Sequence, residues 1–515
     1  MTIFAARPAL VATAALALLA SAAPALAAPS ALLRCDGYGR RQTPGEQVGR
    51  GLVVLGTLGL FGSAEADNPG ARETGENAIA ACTEALTDSR TTGNPVRRAE
   101  VLLMRGVRQY EMGRFDEAIA DARAARTVAL PPLVRSHFDR NIGATTLMLE
   151  AIARLAQNNQ PEAERLATEA ANARPYGFFM TEVALRIQGL TPQISAEEKP
   201  LLDRLWRVYP NVMPVQHMEA AGQWKEAAAA MATLVSLFSK PNVVVLARQA
   251  AVQALAGDND GTAATLARVG QDIDELAAKA TGTDEAAQTA AQQVARADEM
   301  VQLARAQLAL NQGKPDEARN FLAGRPRWLA PASLTAPIIA NVQARALGAA
   351  PGLDPAKIRA DAIKVARDGL SGKGVLNLLV TGLPRWEEPN EAQEFGEQMV
   401  PTSKLMQPKP ARDGAATSIL ASRSAAIDTV AEALLVAAAR TAAKRGQDRF
   451  AVVAHVALPG TSRVGLTGRV GLLEFVTPAD ALFAGQQGRA IMVGEIESAL
   501  GGLYRLPPPP SQPPR

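Results

Sequence analysis

The amino-acid sequence predicts a mainly α protein: an α-solenoid of helical hairpins followed by a small α+β domain. Three observations carry that fold class. Residues 99–131, AEVLLMRGVRQYEMGRFDEAIADARAARTVALP, read as two short helices joined by a tight turn at Gly113-Arg114. Leu102, Gly106 and Tyr110 stand one turn apart on the first helix, and Ala118, Ala122 and Ala125 line one side of the second. The chain is 47% hydrophobic but only 4% aromatic, so its apolar mass is aliphatic and suits closely packed helices rather than a large β-protein. Near the C-terminus the texture changes, and residues 450–458 (FAVVAHVAL) and 464–476 read as strands.

Taken in order, residues 1–27 read as a secretory signal peptide. They carry one charged side chain, Arg7, then an apolar run over 9–20 and the small residues Ala25-Leu26-Ala27. Cleavage is expected after Ala27, which gives a periplasmic or secreted chain; an uncleaved anchor is the alternative, although the apolar core is short for a span. A lipoprotein signal does not fit, because Arg34 precedes Cys35 where a small residue is needed. A glycine-rich segment follows over 28–75. Its run 51–62 (GLVVLGTLGLFG) is too short and glycine-rich to span a bilayer, and reads as a buried loop or strand, or else a membrane-touching segment. The mature chain keeps two cysteines, Cys35 and Cys82. In an oxidising compartment that even count suggests a disulfide, with two unpaired buried thiols as the alternative. The bridge would close a loop of about 47 residues, worth roughly 3–4 kcal/mol by chain entropy, and pin the glycine-rich segment to the helix around residues 78–85.

Residues 76–370 form the repeat domain. Beside the 99–131 hairpin, 144–175 turns at Asn158-Asn159-Gln160-Pro161. Residues 218–241 hold Gly222, Trp224 and Ala227, 243–270 turn at Gly257-Asp258-Asn259-Asp260, and 299–325 hold Gly313 through Ala318. Gly106, Tyr110, Gly113, Phe115, Ala118 and Ala125 stand at the spacings of the tetratricopeptide repeat (TPR) family, which this stretch resembles. The resemblance extends over roughly residues 76–325. It implies a protein or peptide partner and no chemistry of the repeats' own. It also implies that Glu100, Leu103, Val107, Tyr110 and Glu111 face a partner-binding groove. Between repeats, Ser195-Ala196-Glu197-Glu198 is a capping box, and residues 284–311 and 355–370 are further helices.

Residues 371–415, with Pro384, Pro389, Pro401, Pro408 and Pro410, form a Pro/Gly-rich linker. The α+β domain covers 416–506. It begins with an apolar helix over 424–445, with Ala431, Leu434, Leu435 and Ala438 on one face and Gly446 as C-cap. The two strands form a hairpin, and Thr477-Pro478 begins a last helix. The stretch AEALLVAAARTAAKRGQDRF (431–450) resembles the helix–strand junction of small bacterial envelope lipoproteins, although this chain lacks their lipid-anchored cysteine. That likeness supports an envelope setting and implies no activity. The tail 507–515 is a polyproline segment, either a free end or a partner-docking strand.

The formal net charge of +3, one less without Arg7, gives non-specific nucleic-acid binding no electrostatic support. No apolar run after the signal reaches span length. The sequence shows no Walker, GxGxxG, HExxH, GxSxG or paired-carboxylate motif and no metal-ligand spacing among His137, His217 and His455, so it implies no cofactor and no metal. The resulting expectation is an exported TPR-like adaptor or scaffold of the bacterial cell envelope, mediating protein–protein interactions and not an enzyme. The alternative is an envelope enzyme with its active site in the C-terminal α+β domain near His455, which otherwise reads as a core histidine.

Overall fold

In the computed structural model the described residues are 29–37, 71–189, 191–238, 241–323, 328–346, 354–371, 415–422, 427–461 and 467–504. The expected signal segment 1–27, most of the glycine-rich segment including 51–62, nearly all of the expected 371–415 linker and the 507–515 tail lie outside them. The chain divides into two compact units, 1–113 and 114–515.

In the first unit, Ser30 caps a short helix α1 (Ala31–Asp36) by accepting the Leu33 N–H at 3.4 Å. Gly37, at φ 81°, ends it. α1 packs on α2 (Gly75–Thr87) and on α3 (Pro95–Glu111), whose N-cap Asn94 accepts the Arg97 N–H at 3.0 Å. Six residues cannot hold a helix by themselves; two cross-links do so here. Cys35 on α1 is bonded to Cys82 on α2, as the cysteine count suggested, and both are fully buried. Arg97 grips Asp36 with two guanidinium nitrogens, at 2.5 and 3.0 Å, and the surrounding acids hold its pKa above the usual arginine range in spite of its burial. The sequence pattern gave no sign of this second tie, which joins residues 61 positions apart.

The second unit begins with α4 (Phe115–Arg126) and α5 (Pro132–Phe138), which runs through a π-turn into α6 (Ala144–Ala156). The series continues as α7 (Gln160–Ala173), α8 (Phe178–Gln188), α9 (Glu198–Val208), α10 (Met213–Ala220), α11 (Trp224–Ser236) and α12 (Val243–Ala256). It closes with α13 (Asn259–Lys279), α14 (Glu285–Asn311), α15 (Pro315–Leu322), α16 (Ala332–Arg345) and α17 (Pro355–Ser371). Helices pack chiefly on near neighbours in the chain, the pattern of a repeat stack. The hairpin turns share one backbone device, a residue with positive φ: Asn158 at 61°, Gly222 at 71°, Gly257 at 81° and Gly313 at 75°. Alanines fill the close crossings; Ala163, Ala167, Ala227, Ala247, Ala304 and Ala318 have no exposed surface. The capping box at Ser195 is formed reciprocally: Glu198 N–H donates to Ser195 Oγ at 3.0 Å, and Ser195 N–H donates to Glu198 Oε2 at 3.2 Å.

The α+β part contains β1 (Ala416–Ser422), α18 (Ile427–Lys444), β2 (Arg449–Thr461), β3 (Thr467–Val476) and a two-residue β4 (Ile491–Met492). The antiparallel order is β1-β3-β2-β4. The expected β2–β3 hairpin is present, with His455 opposite Leu473. Two features differ from expectation. β1 is an additional strand, pairing Ile419 with Leu472; its seven residues of small and aliphatic side chains lack a strong alternation. No α-helix starts at Pro478. Asp480 Oδ2 accepts both Thr477 N–H at 2.7 Å and Thr477 Oγ at 2.9 Å and holds a turn; a 3-10 helix (Ala481–Arg489) containing Gly485 and Gly488 follows. Among the described residues no helix is long and apolar enough to cross a membrane.

The protein should show no free thiol in denaturant until a reductant is added. Replacing both cysteines by serine should destabilise the first unit by roughly 3–4 kcal/mol, while amide protection over 178–188 stays unchanged because repeat stability is local. Two reactive thiols in the unreduced, unfolded chain would contradict the bridge.

Candidate functional site

α18 is apolar along almost its whole length, and Val430, Leu434, Leu435 and Val436 are buried. Against that background it carries Asp428, Thr429 and Glu432 within its first turn and a half. One side of α18 packs on the sheet, and the helix also meets α8. Its acids therefore enter the protein interior, where an unpaired charge is very costly. The repeats supply the partners. Arg174, just after α7, donates from Nη1 to Asn141 Oδ1 at 2.8 Å and from Nη2 to Thr429 Oγ1 at 2.7 Å and Glu432 Oε2 at 3.0 Å. Arg140, in the π-turn, pairs with the same Glu432 oxygen, and Tyr504 Oη donates to it at 2.7 Å. Arg174 is only 1% exposed and Glu432 is fully buried. Burial pushes the Glu432 carboxyl up, but Arg140, Arg174 and the Tyr504 hydroxyl together hold it below its ordinary value.

Asp428 does different work. Its Oδ1 accepts the Phe179 N–H at 2.7 Å and its Oδ2 the Met180 N–H at 3.3 Å, so it caps α8 from a position 249 residues away in sequence. The approach is possible because residue 177 is glycine: a Cβ there would lie 2.7 Å from Asp428 Oδ2. Burial lifts the Asp428 carboxyl to about 6, against the pull of Arg174 and the two amides. A further clasp joins α9 to the sheet. Arg489, nearly buried, donates to Trp206 O at 2.8 Å, Gln486 Oε1 at 2.6 Å and Val452 O at 2.7 Å, and lies over the Trp206 ring. Burial lowers its pKa to about 10. These groups are sealed into the join between repeats and sheet, and the arrangement fixes geometry rather than presenting a reactive group.

The accessible site is a cavity of about 390 Å³ within the repeats. Leu155 of α6, Ile187 of α8, Ala220 of α10 and Ala332 of α16 give it aliphatic walls. Gln160 and Glu164 of α7, together with Glu219 and Ser333, give it polar edges, and α17 closes it with Arg359, Ala362 and Ile363. Glu219 is a local tie: its carboxylate accepts Arg248 Nε at 2.8 Å and Ser333 Oγ at 2.7 Å, joining α10, α12 and α16. Gln160 Nε2 donates to Glu164 Oε1 at 2.7 Å and to the Ile187 carbonyl at 2.8 Å, near the C-terminal end of α8.

α3 carries the five groove residues expected from the TPR resemblance. Glu100 and Leu103 are half-buried, Val107 and Tyr110 are each 3% exposed, and Glu111 is open to solvent. Glu100 accepts Arg97 Nη1 at 3.0 Å, and Glu111 accepts Arg108 Nη1 at 2.9 Å. Burial raises the Tyr110 hydroxyl to about 12. β2 carries His455, whose side chain lies outside the described residues. Among the described residues no cluster of three or more His, Cys, Asp or Glu is placed to hold a metal ion. The sequence reading did not single out Asp428, Thr429, Glu432, Arg140 or Arg174. The available signal was two acids four residues apart in an otherwise apolar helix. No known family, curated protein or solved structure matches the chain.

Asp428 makes the stability of the second unit depend on pH. The unfolded chain loses this proton near 3.8 and the folded chain near 6, so between those values the folded state holds the extra proton. Its contribution to stability therefore falls as pH rises through that window. Glu432 acts in the opposite sense, contributing stability above the ordinary glutamate pKa that is lost as pH falls through its lowered folded value. Asp428→Asn mimics the protonated acid. It should remove the decline between pH 4 and 6 from denaturant midpoints; an unchanged slope would contradict the assignment.

Proposed function

We propose that this chain is an exported TPR-like adaptor or scaffold that mediates protein–protein interactions in the bacterial cell envelope. The observation that carries the reading is the cavity: helices drawn from separate parts of the stack (α6, α7, α8, α10, α16 and α17), not a cluster of reactive side chains, wall an aliphatic hollow among the described residues. Helical repeats use such surfaces to seat a segment of another polypeptide. The repeated left-handed turns and alanine-filled crossings support kinship with the repeat family that residues 99–131 resemble. The signal-like N-terminus and the Cys35–Cys82 bridge support export to an oxidising compartment. In this reading α3 contributes a second contact through Glu100, Leu103 and Glu111, while Val107 and Tyr110 support that surface from beneath.

Photo-crosslinking in the host envelope tests the proposal. A photoreactive residue at Leu103 or Glu111 should give one discrete protein adduct, absent when the probe is placed at Lys279 on the exposed side of α13. No adduct from either position, or the same adducts from Lys279, would overturn it.

A further inference from the structure

α17 (Pro355–Ser371) packs extensively on α16 but touches α6 and α8 only sparingly. The cavity of about 390 Å³ lies in the space it leaves. That is more than twice the roughly 150 Å³ that admits a benzene molecule. α17 offers Arg359, Ala362 and Ile363 to this space, which is i, i+3 and i+4 of a helix. The central position is an alanine, so the helix leaves the aliphatic wall of Leu155 and Ile187 unfilled. The apolar side of α17 is also poorly buried, with Ile363 50% exposed and Val365 71% exposed. Ile358, half-buried, packs on the core cluster. On the cavity wall Glu164 accepts a hydrogen bond from Gln160 and forms no ion pair among the described residues, because Arg186, the cation on the same wall, is paired with Glu182.

Taking the chain as a binding protein, we infer that α17 is a resident, displaceable occupant of a docking surface for an amphipathic basic helix of another protein. The resident helix shows what the surface accepts: a helical stripe of aliphatic side chains with an arginine one turn before it. A better occupant carries leucine, isoleucine or methionine where α17 has Ala362, to fill the cavity. It also carries a lysine or arginine that reaches Glu164. A partner must first displace α17, so its apparent affinity is reduced by the fraction of molecules in which the surface is free.

The probe is a fluorescein-labelled peptide of residues 354–371 with Ala362→Leu, added to the full mature chain. Ile358→Asp in the chain should release α17 and tighten peptide binding at least about tenfold if the surface is closed nine-tenths of the time or more. On wild-type protein, saturating peptide should speed hydrogen exchange over 355–365 and leave 332–345 protected. Equal binding to both chains, binding without loss of protection over 355–365, or no binding to either overturns the inference. If Ile358→Asp also unprotects 332–345, Ala362→Leu in the chain decides the matter. It fills the cavity from within and should slow exchange over 355–365 by about tenfold, a 1.4 kcal/mol change in opening; unchanged exchange overturns the inference. The peptide result is independent of the envelope crosslinks, so a failed docking surface and a failed adaptor reading give different outcomes.

Discussion

A buried carboxylate, Glu432, sets the arrangement of the second unit. It lies on an apolar helix with no exposed surface and can remain ionised there only where cations meet it. Arg140 and Arg174 do so, and they come from the turns around α6 and α7, more than 250 residues away in sequence. Asp428, one turn earlier, takes the free amides at the start of α8. The α+β domain therefore has one way to sit on the repeats: the way that leaves no buried charge stranded. Asn141, Thr429 and Tyr504 accept or donate further bonds, and Arg489 adds a second clasp through main-chain carbonyls.

Such a network is weak grounds for net stability, because desolvation offsets much of the attraction between its members. Its effect is on specificity. An apolar α18 could slide or rotate on α8 at little cost. With Asp428 bound to two amides and Glu432 to three donors, displacement by even one helical turn would leave charges unpaired. The two acids differ accordingly. Glu432 has two cations and a hydroxyl and is held low; Asp428 is pushed up by burial, which Arg174 and the two amides do not offset.

The local features of this fold were legible in the sequence, and the distant ties were not. Gly222, Gly257 and Gly313 mark turns because a left-handed backbone there favours glycine, and Ser195 with Glu198 marks a helix start by chemistry within four residues. The disulfide was legible because only two cysteines exist. By contrast, nothing near Arg174 or Asp36 says that a residue far along the chain will meet it. β1 escaped notice because its hydrogen bonds, all to β3, stabilise a segment with little intrinsic strand pattern. The turn at Pro478 escaped because Asp480, three residues on, takes the Thr477 amide for a turn. The cavity needed the fold itself, since its wall draws on six helices and the loop after α8.

The repeats and the sheet meet at a buried, charge-paired join, and the cavity lies against α17. The central claim is that the buried network makes the repeats and the α+β domain a single cooperative body. Residue-resolved hydrogen exchange of the wild-type protein in increasing sub-denaturing urea tests this directly. The account predicts that amides of α8 over 178–188 and of α18 over 427–444 open together, with one free energy and one urea dependence. Opening of α18 at a distinctly lower free energy, with α8 still protected, would contradict it.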